Sequence, residues 1–385
     1  MKKHPLLWIL KALLTLAVAA ASLYAMLQPL STLGLAHSGT DGTDLSAPVK
    51  AAIVDRYDMF MNNKVASALD GVLSVEKVYW LSDQDRIAPE PNQANYSTCK
   101  TPEEIAAFLK AAEKVLGGQK TLFSPMTPLA SNTSAICYLD ETIMAVTWKQ
   151  VFDGGIYTIS EVKIAHPSQF RRFLSGGSYG SGIQLTTSAM AASVNAVVAS
   201  SADFYAFRTV GVTVYEGVVR RANDDYVDTC YIDDQGDMLF SFRGDFKNSK
   251  EIQQFVDDNN IRFSVSFGPV LIQDGKALPM PKGGYLIGEI YQNYARAALC
   301  QMDDLHYLTL TANSQYGYTH VPTIPQLQQR LMTFGVRHAY TLDGGQTAVV
   351  VMNDKVINRV VYNAQRKVSD IIYFATALPA SQSGQ

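Results

Sequence analysis

One acidic residue stands where a carboxylate could do chemistry. Asp343 directly follows an apolar run and precedes Gly344 and Gly345. A carboxylate can act as a base or as a nucleophile, and the two glycines allow a tight turn and the close approach of a substrate. The same Asp-Gly-Gly pattern is also typical of a plain turn at a strand end. The residues alone therefore leave a catalytic and a structural role for Asp343 open.

Metal and nucleic-acid chemistry find no support in the residue pattern. The six histidines show no HExxH spacing, and the four cysteines show no CxxC spacing. Lys and Arg number 32 against 35 Asp and Glu, so no excess of positive charge would attract a nucleic acid. We therefore expect no metal, no cofactor and no nucleic-acid partner.

The elements that would position Asp343 belong to the second half of the chain. From residue 143 onward, short β-rich runs alternate with turn residues, and helices are predicted at 188–197 and 325–334. Residues 49–142 instead show helical periodicity, with a capping box at Thr101-Pro102-Glu103-Glu104. The predicted fold class is α+β. A small helical membrane-proximal region (49–142) precedes a mixed, mostly antiparallel β-sheet domain with a few helices (143–376), and a polar tail follows (377–385).

The N-terminal segment carries a targeting signal. Lysines at positions 2, 3 and 11 precede a stretch without charge from Ala12 to Leu27. By the positive-inside rule, we expect residues 1–30 to form a transmembrane signal-anchor, residues 31–48 a linker, and the body to be extracytoplasmic. A cleaved signal peptide, cut after Ala19-Ala20-Ala21, is the alternative.

Export would make cysteine pairing possible. Cys99 and Cys137 lie in the first folded segment and are the plausible bridge, whereas free buried thiols are the alternative. Neither the number nor the spacing of the cysteines decides between the two.

Three ordered stretches of the second domain carry a family resemblance. They are residues 201–208 with Gly211 and 215–217, then 267–269 with Arg296 and 306–308, and last 339–345 with Asn358 and 366–373. No single piece is specific, but the order and spacing from about residue 143 to 375 resemble the phosphodiester glycosidase family.

The resemblance implies a hydrolase that cleaves the bond between C1 of a sugar, such as N-acetylglucosamine, and a phosphodiester oxygen. The substrate would be a carbohydrate or sugar-phosphate polymer of the cell envelope or exopolysaccharide. On matching positions, Asp343 and Asp203 are the catalytic candidates, and the arginines would hold the phosphate. The substrate-binding candidates are Arg208, Arg296, Arg366, Gly344, Gly345, Asn313, Gln315 and Thr347.

The chain departs from the family pattern at three places. Ser201-Ala202 stands where the family has Asn-Gly, Asn313-Ser314-Gln315 replaces Asp-Gly-Arg, and residues 344–348 replace Gly-Gly-Gly-Ser-Ser. Neutral amides thus occupy the positions of an acid and a base, and amides cannot do acid–base work. A catalytically silent glycan-binding protein and a structural envelope protein therefore remain as alternatives to the enzyme.

Overall fold

A computed structural model describes residue 81 and residues 87–282, 290–314 and 319–378. All of these belong to one unit, residues 77–385. The predicted anchor (1–30), the predicted linker (31–48), most of the predicted tail and Gln315 lie outside the described residues. Within the described ranges, no helix is both long and apolar enough to cross a membrane.

Short strands make up most of the described structure, in keeping with the predicted β-rich α+β class. In chain order they are β1 Tyr96–Cys99, β2 Ala135–Leu139, β3 Ile143–Phe152, β4 Gly155–Ile164, β5 Phe170–Leu174, β6 Val198–Ser201, β7 Thr213–Tyr215, β8 Val218–Arg221, β9 Thr229–Ile232, β10 Met238–Ser241, β11 Phe263–Val265, β12 Val270–Gln273, β13 Lys276–Ala277, β14 Arg296–Asp303, β15 His306–Asn313, β16 His338–Leu342, β17 Val350–Met352, β18 Lys355–Val356 and β19 Asp370–Phe374. The helices are α1 Pro102–Ala111, α2 Glu113–Leu116, α3 Thr187–Ser193, α4 Ser249–Asp258 and α5 Ile324–Thr333.

The strands form antiparallel sheets. A nine-stranded sheet has the order β1-β2-β3-β4-β15-β14-β16-β12-β13, and a five-stranded sheet has the order β18-β17-β6-β19-β5. Smaller sheets are formed by β10-β9-β11 and by β7-β8. The nine-stranded sheet is buried on both faces, because Ala298 and Cys300 of β14 pack into one core cluster and Ala297 and Leu299 into another.

Local signals in the sequence explain several element boundaries. Asp153 and Gly154, both with positive φ, form the two-residue turn between β3 and β4. Thr101 and Thr323 cap α1 and α5 through capping boxes, each followed by a proline in the first turn. The sheet pairings confirm the predicted antiparallel β-rich architecture, and these local signals set where its elements begin and end.

Two strands lie in the region for which only helices were predicted. β1 and β2 pair with each other, and β2 pairs with β3, so the nine-stranded sheet extends across the boundary predicted at residues 142/143. The two strands are only four and five residues long, which gives periodicity little to act on. Helix α4 was also not predicted, although Asn248 caps it.

Candidate active site

The turn that carries Asp343 is held by two neighbouring strands. Asp343 directly follows β16, and its backbone N–H donates to the carbonyl of Ala202 beyond β6 at 3.1 Å. The N–H of Gly345 donates to the carbonyl of Ala295 at 2.8 Å. Asp343 is therefore fixed between the segment of the first family stretch and the start of β14.

The two glycines after Asp343 are required by packing. A Cβ on Gly344 would lie 2.4 Å from the carbonyl oxygen of Ala295. Gly345 has φ +67°, and a Cβ there would lie 2.9 Å from the ring of Tyr294. The close approach that the sequence suggested for a substrate is thus, in this structure, the approach of the chain's own backbone and of one aromatic ring.

The carboxylate of Asp343 is buried but ion-paired. Its Oδ1 accepts from the N–H of Gly344 at 2.8 Å, and its Oδ2 lies 3.2 Å from Nη2 of Arg366, whose side chain is half exposed. Burial raises the pKa of Asp343 to about 6, with Arg366 and Thr347 opposing the rise and the nearby Asp203 adding to it. A carboxylate with this pKa titrates near neutrality, as acid–base groups in active sites do.

Arg208 lies near the same carboxylates. Its guanidinium is 3.9 Å from the centre of the Phe204 ring. Burial lowers the pKa of Arg208, and the charges of Asp343 and Asp203 oppose that effect, which places both carboxylates within electrostatic range. Among the described residues, its buried Nη1 has no hydrogen-bond partner. A donor of this kind is available to an anionic ligand.

Asp203 belongs to a buried ion-pair cluster. Its Oδ2 accepts from Nη2 of Arg172 at 3.2 Å and from the N–H of Ser266 at 2.8 Å, while its buried Oδ1 has no partner among the described residues. Arg172 Nε also donates to Asp370 Oδ2 at 2.6 Å, and Asp370 Oδ1 accepts from the N–H of Asp203. Burial raises the pKa of Asp370 against the opposing effect of Arg172. One arginine therefore holds two buried carboxylates in place.

Arg172 was not among the predicted site residues. It lies in β5, a strand that was not predicted, between Arg171 and Phe173. An arginine inside a short apolar run was the available signal, because such a side chain is buried only when it is paired. The partners that pair with it come from β19 and from the segment after β6, which are distant in sequence.

Arg296 borders the Asp343 turn through an aromatic ring. It begins β14, its Nη2 donates to the carbonyl of Gln292 at 2.8 Å, and its guanidinium lies 5.4 Å from the centre of the Tyr294 ring. That ring is the one packed against Gly345. The structure thus pairs Asp343 with Arg366, and Asp203 and Arg208 lie within electrostatic range of the Asp343 carboxylate, with Arg296 next to the turn.

Asn313 and Thr347 hold the segment that follows Asp343 in place through hydrogen bonds. Nδ2 of Asn313 donates to the carbonyl of Ala348 at 3.3 Å, and its Oδ1 accepts from Nδ2 of Asn358 at 3.1 Å. Thr347 donates from Oγ1 to the carbonyl of Gly344 at 2.5 Å, and its own carbonyl accepts from the hydroxyl of Ser201. These contacts give both residues a positioning role.

A cavity of about 420 Å³ lies beside Arg172. Arg171, Arg172, Tyr215, Glu216 and Arg262 line it, and it includes none of Asp343, Arg208 and Arg366. We assign the candidate site by its chemistry and not by volume, because the carboxylate with the raised pKa and the arginine donors lie at the Asp343 turn. Within the described ranges, no group of His, Cys, Asp and Glu side chains could hold a metal ion.

The segment that holds the candidate site matches a known family. Residues 193–375 match the phosphodiester glycosidase family. These residues contain the Asp343 turn, Asp203 and the three candidate arginines. The match confirms the predicted resemblance to the phosphodiester glycosidase family.

Three of the solved structures that resemble this chain come from zebrafish, Synechocystis and Burkholderia pseudomallei. The catalytic domain of zebrafish N-acetylglucosamine-1-phosphodiester alpha-N-acetylglucosaminidase, auto-inhibited by its pro-peptide, is 14% identical, with a TM-score of 0.50 over 77% of this chain and 99% of that one. A hypothetical protein from Synechocystis is 13% identical (TM-score 0.49; 65% of this chain, 64% of that one). A Burkholderia pseudomallei protein described as exported is 13% identical (TM-score 0.41; 58% of this chain, 75% of that one).

At 14% identity, the zebrafish structure supports a shared fold alone. The chain spans less than two thirds of the length of the Synechocystis protein. No curated protein matches the sequence.

Proposed function

We propose that this protein hydrolyses a sugar-1-phosphodiester, such as an N-acetylglucosamine-1-phosphodiester, in cell-envelope or exopolysaccharide material. The observation that carries the proposal is the buried Asp343, whose pKa is raised to about 6 beside Arg366 and Arg208 inside a phosphodiester glycosidase domain. The zebrafish enzyme of similar fold acts, by its name, on this class of bond.

The role of the arginines follows from the negative charge of the substrate. A phosphodiester carries one negative charge, and a guanidinium donates two parallel hydrogen bonds to it. Arg208 has a buried donor without a partner among the described residues, and Arg366 is half exposed and reaches Asp343. We assign these two arginines to the phosphate.

Asp343 then acts on the anomeric carbon or on a water next to it. Cleavage of the bond between C1 and oxygen releases a phosphate monoester, which is a good leaving group, so the reaction depends less on a general acid than ordinary glycoside hydrolysis does. Above a pH of about 6 the carboxylate of Asp343 is ionised and can serve as a base or as a nucleophile. Asp203 holds a second carboxylate near it, with one oxygen that has no partner among the described residues.

The second candidate function is a silent glycan-binding protein. The observation that favours it is Asn313, which stands where the family has an acid and is tied to Ala348 and Asn358. If the family needs an acid at that position, this chain would hold a glycan through its arginines without cleaving it.

A sugar-release assay separates the two functions. The full-length chain is incubated with methyl N-acetylglucosamine-1-phosphate diester and, as a control, with methyl N-acetylglucosaminide, which lacks the phosphate. The hydrolase releases free sugar from the diester only. Binding of the diester without release of sugar would reject the hydrolase and support the binder.

We further propose that the body is extracytoplasmic and tethered by residues 1–30, on the basis of the charge-free run that follows the N-terminal lysines. Fractionation of the host tests this location. Full-length protein in the membrane fraction is expected. Full-length protein in the cytosol would reject the location, and a soluble secreted form lacking the first residues would reject only the tether.

A further inference from the structure

Two thiols meet at the edge of the nine-stranded sheet. Cys99 ends β1, the edge strand, and Cys137 lies in the middle of β2. Cys99 pairs with Ala135 and Ser97 pairs with Cys137, so the two cysteines are diagonal neighbours on one face of the sheet. Their Sγ atoms are 3.5 Å apart, and both side chains are buried.

The contact is close enough for a covalent bond after a small movement. A disulfide has an S–S distance of about 2.05 Å, so the sulfurs must approach by about 1.5 Å. Cys99 is the last residue of the edge strand, where the chain leaves the sheet toward α1, and it is paired on one side only. An edge position of this kind adjusts more easily than a central strand.

The other two cysteines differ from this pair. Cys230 lies in β9 of the three-stranded sheet, and Cys300 lies in β14, in the interior of the nine-stranded sheet. Both are buried. They provide controls within the same chain.

We propose that Cys99 and Cys137 form a disulfide that fastens β1 to β2, made by thiol–disulfide exchange with an oxidised dithiol protein outside the cytoplasm. The inference rests on the proposed extracytoplasmic location, and it is independent of whether the domain cleaves a sugar phosphodiester.

The exchange balances in two steps. The thiolate of one cysteine attacks the donor's disulfide, which forms a mixed disulfide and releases one donor thiolate. The thiolate of the second cysteine attacks the first cysteine's sulfur, which forms the Cys99–Cys137 bond and releases the other donor thiolate. Two electrons and two protons pass from the cysteines to the donor, which ends as a dithiol.

The exchange takes place during folding and not in the folded protein. Burial raises the pKa of both the Cys99 and the Cys137 thiol, so the reactive thiolate is scarce once β1 has docked. The bond therefore forms while the strand is still exposed. It then closes a loop between residues 38 positions apart, which removes conformational freedom from the unfolded chain.

Thiol trapping tests the bond directly. The full-length chain is isolated from its host with free thiols blocked by iodoacetamide during denaturation, and its proteolytic peptides are analysed by mass spectrometry. Two blocked cysteines, Cys230 and Cys300, and one cross-linked peptide pair containing Cys99 and Cys137 are expected. Four blocked cysteines, or a bridge that involves Cys230 or Cys300, would overturn the proposal.

A stability measurement gives a second, independent test. Dithiothreitol should lower the Tm of the wild-type protein by about 5 °C or more, because the loop-closing bond is lost. The double variant Cys99→Ala/Cys137→Ala should show no further loss in dithiothreitol, whereas Cys230→Ala should keep the full dithiothreitol effect. A wild-type Tm that dithiothreitol leaves unchanged would contradict the disulfide.

Discussion

Replacing Asp343 by asparagine should remove activity and yet make the protein more stable at alkaline pH. The pKa of Asp343 rises from 3.8 to about 6, which corresponds to about 3 kcal/mol of unfavourable free energy for the ionised form in the folded state. Because the folded-state pKa lies above the unfolded one, this cost is absent at low pH and appears as pH rises from about 4 through about 6. The asparagine keeps the shape and carries no charge, so the cost disappears.

The expected gain equals the full cost. The pKa of about 6 already includes the effect of the Arg366 charge, so the loss of that ion pair in Asp343→Asn is not subtracted again. We expect Asp343→Asn to be about 3 kcal/mol more stable than wild type at a pH of about 8 and equal to it at a pH of about 4. Turnover of the phosphodiester should fall by at least about 100-fold.

Urea unfolding at the two pH values and the sugar-release assay measure both effects. Asp354→Asn is the control, since it removes an exposed carboxylate from the β17–β18 hairpin and should change neither quantity. Retained turnover in Asp343→Asn would remove Asp343 from the mechanism. A loss of stability that is the same at both pH values would refute the electrostatic argument.

Three further predictions concern the groups around Asp343. Arg208→Ala should raise the KM for the phosphodiester by about 10-fold to 100-fold through the loss of a charge-assisted hydrogen bond, whereas the exposed Arg220→Ala should leave KM unchanged in steady-state kinetics. Arg172→Met should destabilise the fold by about 3–5 kcal/mol, because it leaves two buried carboxylates without their cation. The loss should be larger at a pH of about 8 than at a pH of about 5, and equal losses in urea unfolding at both pH values would contradict this. Gly345→Ala should lower the Tm more than Gly118→Ala does. Both glycines have positive φ, but only a Cβ added at Gly345 would meet an aromatic ring. Equal Tm shifts would show that the ring moves aside.

The sequence predicted those parts of the fold that local chemistry determines. The hairpin at Asp153-Gly154, the cap at Thr323 and the alternating strands after residue 143 follow from residues close together in the chain. β1 and β14 were not predicted, because their burial depends on partner strands that no local pattern reveals.

The candidate site likewise contains residues that the sequence could name and contacts that it could not. Asp343, Arg208 and Arg366 could be named from ordered family stretches, and the structure brings them together. The contacts of Arg172 with Asp203 and Asp370 span 31 and 198 residues, so neither spacing nor composition could reveal them. The positioning role of Asn313 depends in the same way on Asn358 across 45 residues.

The pH dependence of kcat/KM for the phosphodiester tests most directly the claim that Asp343 is the reacting carboxylate. The substrate does not titrate in this range, so kcat/KM should rise with pH through an apparent pKa of about 6 as Asp343 ionises. Because Arg366 lowers the pKa of Asp343, the rise should move to higher pH in Arg366→Ala. A profile that is flat between about pH 5 and about pH 8, or a rise that Arg366→Ala leaves in place, would contradict the assignment.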